Sequence, residues 1–151
     1  MANINYNLSR MQKMIEEKFK SFGLELDKNV IDGDFVRFNV DLNIKKFNNA
    51  SVFYTGSIGN HGYGHFEAVF DEIVINEDSL VAINTLNDNS YFLKCYISRR
   101  GNPGKYFVVF SFTVGYCPTE EAMQDMSAII LDNLIDDDYA PYIKEILNYL
   151  R

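Results

Sequence analysis

The sequence predicts a single α+β domain over residues 1–151, with about five strands in the order α-β-β-β-α-β-β-α. Three observations carry this. Residues 91–116 read as a β-hairpin, residues 34–42 alternate as a half-buried strand does, and residues 8–22 carry a helical apolar stripe. The chain is 47% apolar and 23% charged, an ordinary composition for a domain with one core.

In the first helix, Leu8, Met11, Met14, Ile15, Phe19 and Phe22 recur at spacings of three and four. Asn7 or Ser9 can cap its start, and Gly23 stands where a C′ glycine would end it. In the strand 34–42, Val36, Phe38, Val40 and Leu42 point inward while Arg37, Asn39 and Asp41 point to water. Residues 43–49 are polar and form a turn or a fraying strand end. Residues 50–58 form a weaker strand.

Residues 59–65 hold three glycines and both histidines, and read as a loop. A His-x-x-x-His spacing binds metal well on a helix, where both rings share a face, but the glycines oppose a helix here. Glu67 is the one further ligand candidate nearby. No metal site and no cofactor is expected, and a metal-dependent enzyme using His61 and His65 is an alternative reading. Residues 65–75 form the next strand. Asn76 or Asp78 then caps a helix whose apolar stripe is Leu80, Ile83 and Leu86.

In the hairpin, Gly101, Asn102, Pro103 and Gly104 supply the reversal. If Arg100 lies opposite Lys105, Cys95 faces Phe110 and Leu93 faces Phe112. One face then carries Leu93, Cys95, Ile97, Val108, Phe110, Phe112 and Val114, and belongs to the core. The other carries Phe92, Lys94, Tyr96, Ser98, Phe107, Val109, Ser111 and Thr113. This face has more aromatic area than solvation needs, so Phe92, Tyr96, Phe107 and Val109 are candidate protein-binding residues. Cys117 lies past the second strand, too far from Cys95 for a disulfide, so both are expected to be free thiols.

Pro118, Thr119, Glu120 and Glu121 open a long helix with Ala122, Met123, Met126, Ile129, Ile130 and Leu134 on its apolar face. Asp136, Asp137 and Asp138 are expected to break it. Asp138 can cap a last helix with Pro141 in its first turn and Tyr142, Ile143, Ile146, Leu147 and Leu150 along one face.

The net charge of −7 is uneven: +2 over residues 1–23, −3 over 24–116 and −6 over 117–151. Asp132, Asp136, Asp137 and Asp138 make a candidate acidic surface. That balance argues against direct nucleic-acid binding, which needs a basic footprint, and permits a basic protein partner. No apolar run reaches the ~18 residues that span a bilayer. The N-terminus has neither a basic nor an apolar leader region. No membrane association and a cytoplasmic location are expected.

Three stretches carry a family resemblance. The first helix ends in Ser21-Phe22-Gly23-Leu24, Ile83-Asn84-Thr85-Leu86-Asn87 leads into Tyr91-Phe92-Leu93-Lys94, and the strand from Phe107 to Val114 runs into Pro118-Thr119-Glu120-Glu121. With the element order, they resemble the YbjN family and the type III secretion chaperone-like fold it shares, over most of the chain. The resemblance implies an antiparallel sheet with helices mainly on one face. It also implies work by protein–protein contact, often as a dimer, without catalysis.

The expected function is therefore a non-catalytic protein-binding module, a chaperone-like adaptor or regulator, with no catalytic residue assigned. Its partner is a protein, and a homodimer is one form it could take. A second reading is an acidic inhibitor that occupies a basic, nucleic-acid-binding surface of another protein. A third is an enzyme drawing on His61, His65, Glu67 and Cys117.

Overall fold

The computed structural model describes residues 3–45, 49–90, 93–99, 104–135 and 141–151. The fold is α+β. Its elements run α1 (Leu8–Lys20), β1 (Lys28–Asp32), β2 (Phe35–Ile44), β3 (Ala50–Gly59), β4 (Gly64–Glu72), α2 (Glu77–Asn89), β5 (Leu93–Ser98), β6 (Phe107–Val114), α3 (Glu120–Met126), α4 (Ile129–Ile135) and α5 (Pro141–Leu147). The six strands form one antiparallel sheet in the order β1-β2-β3-β4-β6-β5. The sequence reading is correct in class and in the order of the elements it names, and short by one strand.

That strand is β1. It pairs with β2 from Lys28 opposite Asn39 to Asp32 opposite Phe35, closing on a two-residue turn in which Gly33 takes a φ of +60°. Four of its five residues are exposed, so it carries no apolar rhythm.

Two compact units divide the chain. The first comprises Met1–Asp41, Tyr54–Phe66 and Thr113–Ile129. Here α1 begins on Asn7, whose side chain accepts from the backbone N–H of Arg10 at 3.0 Å. It ends as expected: Gly23, with φ +76°, donates to the Lys20 carbonyl while Leu24 donates to that of Phe19, which satisfies the last carbonyls of the helix. Met11, Ile15 and Phe19 are its buried stripe. The Phe19 ring meets Phe38 at 5.3 Å and Tyr54 at 5.6 Å between centroids. Beside this stripe, Gln12 of α1 and Asn29 of β1 exchange two bonds. The Gln12 side-chain amide donates to the Asn29 carbonyl at 2.6 Å, and that of Asn29 donates to the Gln12 carbonyl at 3.0 Å.

The C-terminal helix of this unit breaks earlier than expected. α3 starts on Thr119, whose hydroxyl accepts from the Ala122 N–H at 3.1 Å, and stops at Met126. Ser127 and Ala128, both fully buried, form a turn before α4. The buried Tyr54 hydroxyl donates to the Ser127 carbonyl at 2.7 Å. This gives that carbonyl a partner outside the helix ladder. The expected break at Asp136–Asp138 lies outside the described residues.

The second unit comprises Leu42–Phe53, Glu67–Phe112 and Ile130–Arg151. α2 opens on a capping box, Asn76 with Ser79. Its buried residues are Ser79, Ala82, Ile83 and Leu86. The expected stripe was partly misplaced, since Leu80 is 42% exposed. The Asn87 side chain leaves this helix to bracket Cys95 on β5, accepting from its N–H at 2.8 Å and donating to its carbonyl at 2.9 Å. Lys94 reaches the carbonyls of Asn87 and Ser90 at the end of the same helix.

The hairpin register is the expected one: Leu93 opposite Phe112, Cys95 opposite Phe110, Tyr96 opposite Val109 and Ser98 opposite Phe107. Leu93, Cys95, Val108, Phe110 and Phe112 are buried, and Phe110 meets Phe70 edge-on at 5.6 Å. Both cysteines are free thiols. Burial pushes the Cys95 thiol up to about 12, so it stays protonated and packs as a small apolar group. In α5 the buried residues are Ile143, Ile146 and Leu147, while Tyr142 is exposed.

Candidate protein-binding face

Alternation along the strands sorts side chains into an inner and an outer set. Along β4, Phe66, Ala68 and Phe70 are buried, and His65, Glu67 and Val69 between them are half-buried. Along β3, Val52, Tyr54, Gly56 and Ile58 are buried, with Phe53, Thr55 and Ser57 between them on the outer side. Gly56 belongs to the inner set because the rings of Phe38 and Phe66 close over it; a Cβ there would lie 2.2 Å from Phe38 Cζ.

The outer residues of the second unit are the candidate face. Tyr96 is 40% exposed and Phe53 38%. Phe107 and Val69 are half-buried. Val109, expected among the exposed binding residues, is fully buried instead. Tyr96 lies opposite it in the register, and the Tyr96 hydroxyl donates to Glu67 Oε1 on β4 at 2.8 Å. Since β6 lies between β4 and β5, the phenol spans β6 and lies over Val109. Phe92 lies outside the described residues. Phe53 was missed by sequence reasoning, although its place between the inward Val52 and Tyr54 was the signal that would have found it.

The residues considered for chemistry are held apart in separate contacts. His61 sits in the turn after β3, with Nδ1 3.0 Å from the Ile4 carbonyl. His65, expected where the loop meets the next strand, is in β4, with Nδ1 2.6 Å from the Thr113 hydroxyl. Glu67 accepts from Tyr96. Cys117 is buried, its thiol 3.6 Å from the Thr119 carbonyl, and its own carbonyl accepts a short bond from the Tyr6 hydroxyl. Burial first, and hydrogen bonding with the Cys117 side chain second, raise the Tyr6 phenol well above its ordinary range. Among the described residues, no group of three or more His, Cys, Asp and Glu side chains is assembled to hold a metal ion.

Of the acidic surface residues, Asp132 is exposed, while Asp136, Asp137 and Asp138 lie outside the described residues. At the start of α1, Glu120 accepts from Arg10 Nε at 2.7 Å and from the Asn7 N–H at 2.7 Å. The Arg10 guanidinium holds its carboxyl below the usual carboxylate range.

No helix among the described residues is long and apolar enough to cross a membrane. No protein-family model matches the chain, and no curated protein does. Among solved structures, it is similar to the crystal structure of YbjN from E. coli, a protein described as a candidate transcription regulator. The TM-score is 0.50 at 9% identity, over 99% of this chain and 92% of that one. What the two share is the overall fold.

Proposed function

We propose that this protein is a non-catalytic protein-binding module, an adaptor or regulator that works by protein–protein contact through the outer face of its second unit. One observation carries the reading: Phe53 and Tyr96 stay exposed beside the half-buried Phe107 and Val69. Aromatic side chains bring large area at small entropic cost and tend to dominate interface energy. The likeness to YbjN, a candidate transcription regulator, supports a regulatory role. With a net charge of −7, regulation would run through a protein contact rather than through DNA phosphates. A second copy of the chain is one such partner.

Phe53→Ser with Tyr96→Gln tests this; glutamine removes the ring and leaves a polar donor on the side facing Glu67. The double variant should keep its circular dichroism spectrum and lose oligomer mass in light scattering, or lose the protein captured by the parent chain from its host. A folded variant with unchanged mass and unchanged capture sinks the proposal. The acidic-inhibitor reading stands second, on the −6 charge of residues 117–151. It requires partner binding that weakens steeply between low and moderate salt, which an aromatic contact would not do.

A further inference from the structure

A second surface of the same unit has a different chemistry. α2 and α5 pack side by side and leave a groove of about 220 Å³ between them, lined by Asp78, Val81, Ala82, Thr85, Tyr142, Glu145 and Tyr149. Val81 is 56% exposed and Tyr142 38%. The capping box at Asn76 and Ser79 fixes the first turn of α2, and with it Asp78. Glu145 is exposed, one helical turn from Tyr142 on α5. Neither carboxylate has an ion pair or hydrogen bond among the described residues, and neither phenol is hydrogen-bonded there. Asp78, Glu145 and Tyr149 line the same groove, and burial, then the charges of the two carboxylates, raise the Tyr149 phenol.

We infer that this groove receives an arginine or lysine side chain from a peptide segment of a partner protein. The volume is below the several hundred cubic ångströms that small-molecule sites occupy and suits one long side chain. Val81 and Ala82 give the aliphatic stem an apolar floor. The rings of Tyr142 and Tyr149 offer π-faces to a cation, and Asp78 and Glu145 complement its charge. Exposed Val81, at the groove's edge, also gives a neighbouring residue of a peptide apolar surface, which a free cation would not use. This site is separate from the outer sheet face, so each can fail alone.

Two pentapeptides test it, Gly-Leu-Arg-Leu-Gly with blocked ends and its counterpart with neutral citrulline for arginine. Titrated into the isotope-labelled full chain, the arginine peptide should shift the amides of residues 78–85 and 142–149. It should bind at least about fivefold more tightly than the citrulline peptide, the effect of an exposed charge pair joined by a cation–π contact. Asp78→Asn with Glu145→Gln should erase that preference, whereas Phe53→Ser with Tyr96→Gln should leave it intact. Equal binding of the two peptides overturns the inference, as does the absence of shifts in those amides at millimolar peptide. Spermidine binding as tightly as the arginine peptide would also overturn it, by making the occupant a small polycation.

Discussion

The outer side chains of the two units obey the same alternation and differ in what they leave over for a partner. In the first unit, Arg37 pairs with Asp32 at 3.1 Å, donates to Ser57 at 3.1 Å and lies over the Phe35 ring. His65 meets Thr113, and Thr55 donates to the Phe38 carbonyl. These polar groups are satisfied within the unit and gain little from an added surface. In the second unit the outer set holds polar residues such as Lys94, Asp71 and Ser111, but also the apolar Phe53, Val69, Tyr96 and Phe107, with the Tyr96–Glu67 bond among them. Their area still gains by leaving water. Exposure alone would not have separated the two sets; the chemistry of what is exposed does.

The largest effect expected is on the inner side. Phe110→Ala should cost about 3–5 kcal/mol, the transfer and cavity cost of a buried ring. A loss below about 1 kcal/mol in chemical denaturation would mean that the inner and outer sets of the second unit are exchanged. Next, Tyr54→Phe in the first unit removes the phenol that donates to the Ser127 carbonyl and should cost about 1–3 kcal/mol. A neutral result would detach that bond from the break between α3 and α4. Smaller still is the outer pair itself. Phe53→Ser with Tyr96→Gln should change stability by less than about 1 kcal/mol while reducing association, and Arg37→Gln with His65→Asn should leave association unchanged. If the polar pair reduces association as much, the contrast between the units is false.

The smallest effect is a pH dependence. Glu120 is held below its ordinary range by Arg10, so its contribution is present above the unfolded value of about 4.3 and fades as pH falls through the folded value. Glu120→Gln should therefore be slightly less stable than the parent at neutral pH. The difference should vanish once the pH falls below the folded value, as the parent carboxyl takes up its proton. A difference that persists in acid would show that the first unit's polar contacts there act through packing rather than charge.

Much of this arrangement is legible along the chain, and where it is not, the reason is physical. The register of β5 on β6 follows from alternation, because a slip of one residue would turn Phe110 outward. The end of α1 follows from Gly23. β1 escapes because Lys28–Asp32 buries almost nothing, although Asp32-Gly33 is a hairpin signal in its own right. The break at Ser127 escapes because Ser127 and Ala128 are small and fit a helix; only Tyr54, 73 residues earlier in the chain, reveals it. Of the candidate face, Tyr96 and Phe107 are legible and the cover over Val109 is not, since Glu67 comes from another strand. The groove between α2 and α5 joins segments about sixty residues apart, and no local pattern announces it.

The two helix side-chain amides that bond to the outermost strands have one more consequence. A sheet ends where its last backbone groups lack a neighbour, and such margins invite strand addition by peptides and templated growth into fibres. Here Asn87 occupies the N–H and carbonyl of Cys95 in the middle of β5, and Gln12 occupies the Asn29 carbonyl of β1. At both margins a helix side chain holds edge backbone groups that a seventh strand would use. A partner that completes this sheet sideways would first have to displace Asn87 or Gln12, whereas one that lies flat on Phe53 and Tyr96 displaces only water.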